Sequence, residues 1–156
     1  MNLEMFFGVA SNIALPGWLL LVLAPGWRWG TQRIAPFVIP LILALMYAYL
    51  MVTNLANAQG DFASLAGVRG LFEVDALLLA GWIHYLAFDL FIGAWEVRDA
   101  RRLGIPHLLV VPCLICTLML GPIGLALYFA LRGIMKRTVW IDDGVPAIVV
   151  APPAAS

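Results

Sequence analysis

The 156-residue chain has room for one domain, and its composition excludes an ordinary soluble one, because 63% of the residues are hydrophobic and only 12% are charged. Soluble domains carry about twice that charged share, so this chain could not cover itself with a hydrated surface, and we expect it to be built for lipid. The formal net charge is zero and no basic run occurs, which argues against nucleic acid as a partner and against a patch for anionic lipids.

The first apolar run, at about residues 4–24, has the roughly 20 residues that are needed to cross a bilayer core. Glu4 stands where a signal peptide would carry basic residues, and no small-residue cleavage site follows before Pro25. We therefore expect a retained span rather than a cleaved leader. The Trp-Arg-Trp segment at 27–29 is typical of an anchor at the membrane interface.

Three more apolar runs follow, at about residues 34–53, 75–95 and 108–131. Continuous runs of this length indicate helices, whereas the strands of a membrane barrel would alternate in polarity over about ten residues. A polar stretch at 55–73 is the longest loop, and part of it fits a short interfacial helix. The last run is interrupted by Gly121-Pro122, which predicts a bend.

The sequence thus predicts an all-α fold, an integral membrane bundle of four transmembrane helices in residues 1–135, with a short flexible C-terminal tail at 136–156. With four spans, an N-terminus outside puts five basic residues on the cytoplasmic side and four on the other side. The positive-inside rule therefore favours an outside N-terminus. Membrane lipids are the expected surroundings. A homo-oligomer is a further expectation, because four helices enclose little volume for a long ligand.

The third run carries two ionisable side chains near its middle, His84 and Asp89. A charged group there costs about 2.5–3.5 kcal/mol on insertion scales, so we expect Asp89 to face other helices. At 100° per residue one heptad stripe contains Asp75, Trp82, Asp89 and Glu96, and Tyr85 lies one turn before Asp89. A second stripe, about 140° away from Asp89, is aromatic with one imidazole: His84, Phe88, Phe91 and Trp95.

Two interpretations of these stripes stay open. Aromatic walls beside ionisable groups suit a long, apolar, polyene-like ligand with a polar end, and the residues expected to bind it are Trp82, Tyr85, Phe88, Phe91 and Asn12. Alternatively, Asp89 and His84 bond polar side chains of neighbouring spans and only hold the bundle together, with Ser11, Asn12, Thr53 and Asn54 as the candidates.

Features outside the third run have simpler interpretations. His107 follows a proline at the start of a helix, and fits a cap or a site residue equally well. Asp99 is spaced to pair with Arg102. Small residues recur at one helical face of the last run and predict a close approach by another helix: Cys113, Thr117 and Gly121. Cys113 and Cys116 have no further ligands nearby, which indicates packing rather than a metal or redox site.

Several motifs in the second half of the chain carry a family resemblance. They are Trp82 to Gly93 (WIHYLAFDLFIG), Gly104 to His107 (GIPH), Pro112 to Leu114 (PCL) and Gly121 to Leu125 (GPIGL). In this order they resemble the abscisic-acid-deficient-four family, whose plant members are neoxanthin synthases of the chloroplast envelope. The resemblance covers about residues 5–135, and it implies carotenoid chemistry.

In that chemistry a xanthophyll epoxide opens and a neighbouring C–H is lost without net redox change, which requires an acid near the oxygen and a base near the departing proton. The resemblance implies Asp89 as the acid and His84 or His107 as the base. No cofactor is indicated, and a metal held between spans is an alternative, because carboxylates and imidazoles gather in bundle cores. The chain begins without a long transit peptide, so we expect a bacterial relative in an inner membrane.

Two other functions compete with a carotenoid isomerase. The first is a non-catalytic membrane module that binds a pigment or lipid, or packs against a larger complex. The second is a small transporter, which has the least support because nothing in the sequence indicates inverted repeats.

Overall fold

The computed structural model describes residues 2–137 and residue 140, and this part of the chain contains six helices longer than one turn and no strand. The predicted all-α class is confirmed. The helices are α1 (Leu3–Leu23), α2 (Gly30–Asn54), α3 (Leu65–Phe72), α4 (Asp75–Leu103), α5 (His107–Leu120) and α6 (Pro122–Lys136). Most of the predicted tail lies outside the described residues.

Three of these helices, α1, α2 and α4, are long and apolar enough to cross a membrane. They lie where the first three apolar runs of the sequence lie, although α4 extends well past the expected end, to Leu103. Helix α2 begins with a π-helical segment, Gly30–Val38, where Pro36 lacks a backbone donor. Three apolar helices of this length give the chain the character of a membrane protein.

Helices α1 and α4 lie side by side and run in the same direction. The pairs that show this, from one end to the other, are Phe7 with Trp82, Gly17 with Leu90, Trp18 with Gly93 and Pro25 with Arg101. Helix α2 runs the opposite way, since its later residue Tyr47 meets His84 while its earlier residue Ile39 meets Gly17. The molecule therefore has an Asp75 end, where α1 and α4 begin, and a Leu103 end, where both finish.

Helices α5 and α6 form a hairpin that reverses beside the middle of α4. Helix α5 starts at the Leu103 end, where His107 Nε2 lies 3.0 Å from the carbonyl oxygen of Val22. At its other end, Gly121 packs against the carboxylate of Asp89, which is the central residue of α4. Helix α6 then returns, because Tyr128 and Arg132 both contact Asp99 near the C-terminal end of α4.

The predicted fourth span at 108–131 is therefore two helices, and a bundle of four complete spans is not confirmed. Gly121 has a φ of +51°, a conformation that glycine tolerates, and Pro122 has no N–H with which to continue helix α5. The two helices pack so closely that a Cβ on Gly124 would overlap the backbone of Thr117. The sequence predicted a bend at Gly121, and the structure has a reversal.

Helix α4 is the centre of the fold, because it contacts all five other helices. Its apolar side chains fill the core, while many large hydrophobic side chains of the outer helices are exposed, as a lipid environment requires. Within the described residues the buried polar side chains are few, and four of them gather where α4 meets the hairpin: Glu96, Asp99, Thr117 and Arg132.

Candidate functional site

The carboxylate of Asp89 lies against the turn of the α5–α6 hairpin. A Cβ placed on Gly121 would be 3.2 Å from Asp89 Oδ2, so the carboxylate occupies space that a side chain at position 121 would need. The Oδ2 atom is buried and accepts no hydrogen bond, although the Tyr85 hydroxyl lies close to the carboxylate. Because buried polar atoms in folded proteins are nearly always partnered, this oxygen is a candidate for contact with a ligand.

Tyr85 lies one turn before Asp89 and closes the same junction. Its hydroxyl donates a hydrogen bond to the carbonyl oxygen of Leu118, at 2.7 Å. In a continuous helix that carbonyl would accept from residue 122, but Pro122 has no N–H. The proline therefore leaves the Leu118 carbonyl without its helical donor, and the hydroxyl of Tyr85 satisfies it.

A cavity of about 690 Å³ opens on the other side of Tyr85, between the first turns of α1, helix α3 and the start of α4. Its walls are aromatic: Trp82 stacks on Tyr85 with ring centroids 5.4 Å apart, and Phe7 lies 5.7 Å from Trp82. The carboxylic residues Glu4 and Asp75 line it at the Asp75 end. Asp89 lies about 6 Å further along α4 than Tyr85, beyond the inner end of this cavity.

The opposite face of α4 has different neighbours. His84 stacks on Phe88 at 4.4 Å and lies 5.9 Å from the ring of Tyr47 in α2. A separate cavity of about 280 Å³ beside α2 and α3 includes His84. Phe88 and Phe91 border another small cavity along α2. The two stripes of α4 therefore face two separate sets of helices.

The residues predicted as an acid and its bases are not assembled into one site. Asp89 faces the hairpin, His84 faces α2, and His107 lies at the Leu103 end beside Val22. Asn12 is exposed and donates to the carbonyl of Gly8 in its own helix. Their catalytic and ligand-binding roles stay predictions.

Of the predicted polar partners only Ser11 makes a hydrogen bond to another helix, and that bond is not to Asp89 or His84. Thr53 and Asn54 bond carbonyls of their own helix. Ser11 accepts a long hydrogen bond from Trp82 Nε1, at 3.4 Å, and not one from Asp89 or His84. The fully buried hydrogen bonds between helices lie on the C-terminal half of α4.

A buried polar cluster that the sequence did not reveal joins α4 to the hairpin. The Thr117 hydroxyl donates to Glu96 Oε1 at 2.9 Å, and both side chains are fully buried. Glu96 Oε2 has no hydrogen-bond partner. One signal was present, because Glu96 lies one heptad after Asp89 on the same stripe of α4. The small-residue face of α5, which includes Thr117, makes the predicted close approach.

Asp99 is the second anchor of the hairpin. The Tyr128 hydroxyl donates to Asp99 Oδ2 at 2.8 Å, and Arg132 Nε lies 3.4 Å from the same oxygen. Arg102 pairs with the other oxygen at 3.2 Å, as its spacing predicted. Arg132 is only 1% exposed, so its charge is compensated within the fold. In the part of the chain that the structure describes, no three His, Cys, Asp or Glu side chains are grouped closely enough to hold a metal.

Comparison with known proteins gives a family. Residues 5–128 match the family model described as ABA DEFICIENT 4-like. The chain is also similar to a curated protein of Arabidopsis thaliana, "Protein ABA DEFICIENT 4, chloroplastic", with 24% identity over 141 residues. That match covers 84% of this chain and 62% of the relative's length. No solved structure matches the chain. Since the family model covers most of its length, the chain belongs to the ABA DEFICIENT 4-like family.

Proposed function

We propose that the protein is an isomerase that acts on the polar end group of a carotenoid or a similar apolar isoprenoid, with Asp89 as the proton-transferring group. The observation that carries the proposal is the buried, unpartnered Oδ2 of Asp89 one turn beyond an aromatic cavity. The cavity volume of about 690 Å³ is in the range of small-molecule sites. Family membership supports the same substrate class.

The geometry suits an apolar ligand with one oxygen. Phe7, Trp82 and Tyr85 supply flat apolar walls, and these side chains are partly exposed, so the remainder of a long chain can lie in the surrounding lipid. A carboxyl group can give a proton to an epoxide oxygen and a carboxylate can take one from a neighbouring C–H, which together isomerise the end group without net redox change. His84 and His107 line no part of this cavity. Asp89 does not line it either, but it lies one turn of α4 beyond Tyr85, which does, so the proposal assigns the proton transfer to Asp89.

The proposal includes a membrane arrangement. Helices α1, α2 and α4 cross the bilayer, and the α5–α6 hairpin takes the fourth position of the bundle without crossing it. A bacterial inner membrane is the proposed location, and homo-oligomers are proposed to form there. The support for this arrangement is the length of the three helices and the position of Gly121 beside the centre of α4.

The test is expression in hosts that accumulate different xanthophylls, followed by chromatography and mass measurement of the pigments. We expect a new pigment of unchanged mass in at least one host. Asp89→Asn should lower its yield by about 100-fold or more, the range of general acid–base catalysis. Glu73→Gln, an exposed carboxyl outside the cavity, is the matched control. Folded protein that changes no pigment in any host would contradict the proposal.

A second candidate function is a non-catalytic module that binds a pigment or lipid. It is favoured by one observation, that aromatic cavities lie on both faces of α4 while the predicted acid and bases stay apart. This alternative predicts that the purified protein carries an unchanged pigment and that Asp89→Asn leaves binding intact.

A further inference from the structure

Basic side chains are concentrated at one end of the molecule. Eight of the nine Lys and Arg residues in the chain lie at the Leu103 end, and the ninth, Arg69 in α3, lies at the Asp75 end. Seven exposed ones form what we call the basic collar at the Leu103 end: Arg28, Arg33, Arg98, Arg101, Arg102, Lys136 and Arg137. The eighth, Arg132, is buried beneath them.

Acidic side chains have the opposite distribution. The Asp75 end carries four exposed carboxyl groups: Glu4, Asp61, Glu73 and Asp75. Together with the one positive charge of Arg69, they give this end a formal charge of −3. Near the basic collar, the acidic residues of the described chain are Glu96 and Asp99, and both are buried. The described residues are therefore strongly polarised in charge along the helix axes.

The hairpin creates this polarity. The collar is assembled from three separate segments, namely the α1–α2 connection with the first turn of α2, the end of α4 and the end of α6. If residues 108–131 crossed the membrane once, Lys136 and Arg137 would lie at the Asp75 end. The reversal at Gly121 returns them to the Leu103 end. With a single crossing, five basic residues would lie at the Leu103 end and four at the Asp75 end, whereas with the hairpin eight lie at the Leu103 end and one at the Asp75 end.

Exposed aromatic side chains lie beside the basic collar at the Leu103 end, where lipid headgroups are expected. Trp27 and Trp29 are exposed, and the guanidinium of Arg33 lies 3.9 Å above the ring of Trp29. Arg101 donates to the carbonyl oxygen of Pro25 at 2.9 Å, which ties the α1–α2 connection to the end of α4. Exposed tryptophans beside basic residues are typical of a membrane–water interface.

We propose that α5 and α6 are a re-entrant hairpin that enters and leaves the bilayer on the cytoplasmic side, and that the basic collar binds the anionic phospholipid headgroups of that leaflet. Positive residues are retained on the cytoplasmic side of membrane proteins, and clusters of them bind anionic lipid there. This proposal rests on the membrane arrangement and not on chemistry at Asp89, so the two can fail separately.

The first experiment locates two positions relative to the bilayer. Ala63→Cys and Lys136→Cys are made separately in a background in which Cys113 and Cys116 are replaced by alanine, and inner-membrane spheroplasts are treated with an impermeant maleimide. We expect Ala63→Cys to react in intact spheroplasts and Lys136→Cys only after lysis. Reaction of both in intact spheroplasts would overturn the hairpin, and the reversed pattern would overturn the cytoplasmic placement.

If the cysteine-free background does not fold, a reporter fused after residue 137 answers the same question. If the fused reporter is one that works only in the cytoplasm, we expect it to be active when it is fused at this position. Activity of an exported reporter at this position would contradict the proposal.

The second experiment tests the lipid. Thermal unfolding of the purified protein in neutral detergent is followed with added phosphatidylglycerol, phosphatidylcholine or inorganic phosphate. We expect phosphatidylglycerol alone to raise Tm. The triple variant Arg28→Gln/Lys136→Gln/Arg137→Gln should lose at least half of that rise, while the matched control Arg69→Gln should keep it. An equal rise with phosphatidylcholine, or with inorganic phosphate, would overturn the assignment to anionic lipid.

Discussion

The two halves of helix α4 differ in what they contact, although they belong to one continuous helix. The half before Asp89 borders cavities, and its aromatic side chains Trp82 and Phe88 are partly exposed. The half after Asp89 is covered by the hairpin and holds the buried residues Glu96 and Asp99. One half is arranged for access and the other for rigidity, and Asp89 lies at the boundary between them.

This difference teaches where a proton-transferring group can be both fixed and reachable. Glycine at position 121 lets the hairpin approach Asp89 from the rigid half, while Tyr85, one turn earlier, lines the open cavity. A carboxyl group wholly within the rigid half, such as Glu96, is fully buried and bonded to Thr117. Three changes test the contrast between the halves.

The largest effect is expected from Arg132→Met, in the rigid half. This change leaves the buried carboxylate of Asp99 without the cation that α6 supplies, and breaking a buried ion pair costs about 3–5 kcal/mol. The free energy of unfolding, measured by detergent-to-SDS titration, should fall by that amount. The double variant Arg132→Met/Asp99→Asn should recover part of the loss. Equal stability of Arg132→Met and the parent would show that the hairpin is not held by this pair.

A smaller loss is expected from Gly124→Ala, because the added Cβ would overlap the backbone of Thr117. Overpacking at such a contact costs about 1–3 kcal/mol, measured in the same titration. Gly8→Ala is the matched control, since a Cβ at Gly8 meets nothing within 4 Å and alanine favours a helix. If both alanine variants behave alike, the hairpin does not pack as closely as described.

The smallest change in stability is expected from Phe7→Leu, in the open half. Phe7 is 43% exposed, so unfolding should shift by no more than about 0.5 kcal/mol. Affinity for zeaxanthin, followed by quenching of tryptophan fluorescence, should fall by roughly 2–10-fold, the equivalent of one aromatic contact. Phe129→Leu removes a ring beside Trp95 in the rigid half. It should lower the free energy of unfolding more than Phe7→Leu does and leave the affinity for zeaxanthin unchanged. If Phe7→Leu and Phe129→Leu both lost affinity for zeaxanthin, ligand binding would not be confined to the open half of α4.

The sequence predicted the parts of the fold that depend on local patterns. Apolar runs located α1, α2 and α4, and helical spacing paired Asp99 with Arg102. The pattern also located the break at Gly121. It could not distinguish a bend from a reversal, because both need the same glycine and proline.

What decides the reversal is a set of contacts between distant parts of the chain. Tyr128 and Arg132 reach Asp99, and Thr117 reaches Glu96. No spacing within one helix encodes these pairs. For the same reason a neutral, evenly spread charge in the sequence concealed the basic collar, whose members meet only after the hairpin has closed.

The long separation between Asp99 and its partners has a consequence for biogenesis. Tyr128 is synthesised 29 residues after Asp99, and Arg132 later still. While the ribosome adds those residues, Asp99 has Arg102 of its own helix beside it but not the hydroxyl and the second cation that α6 supplies. We therefore expect α4 to reach its final depth only when the last two helices have inserted together.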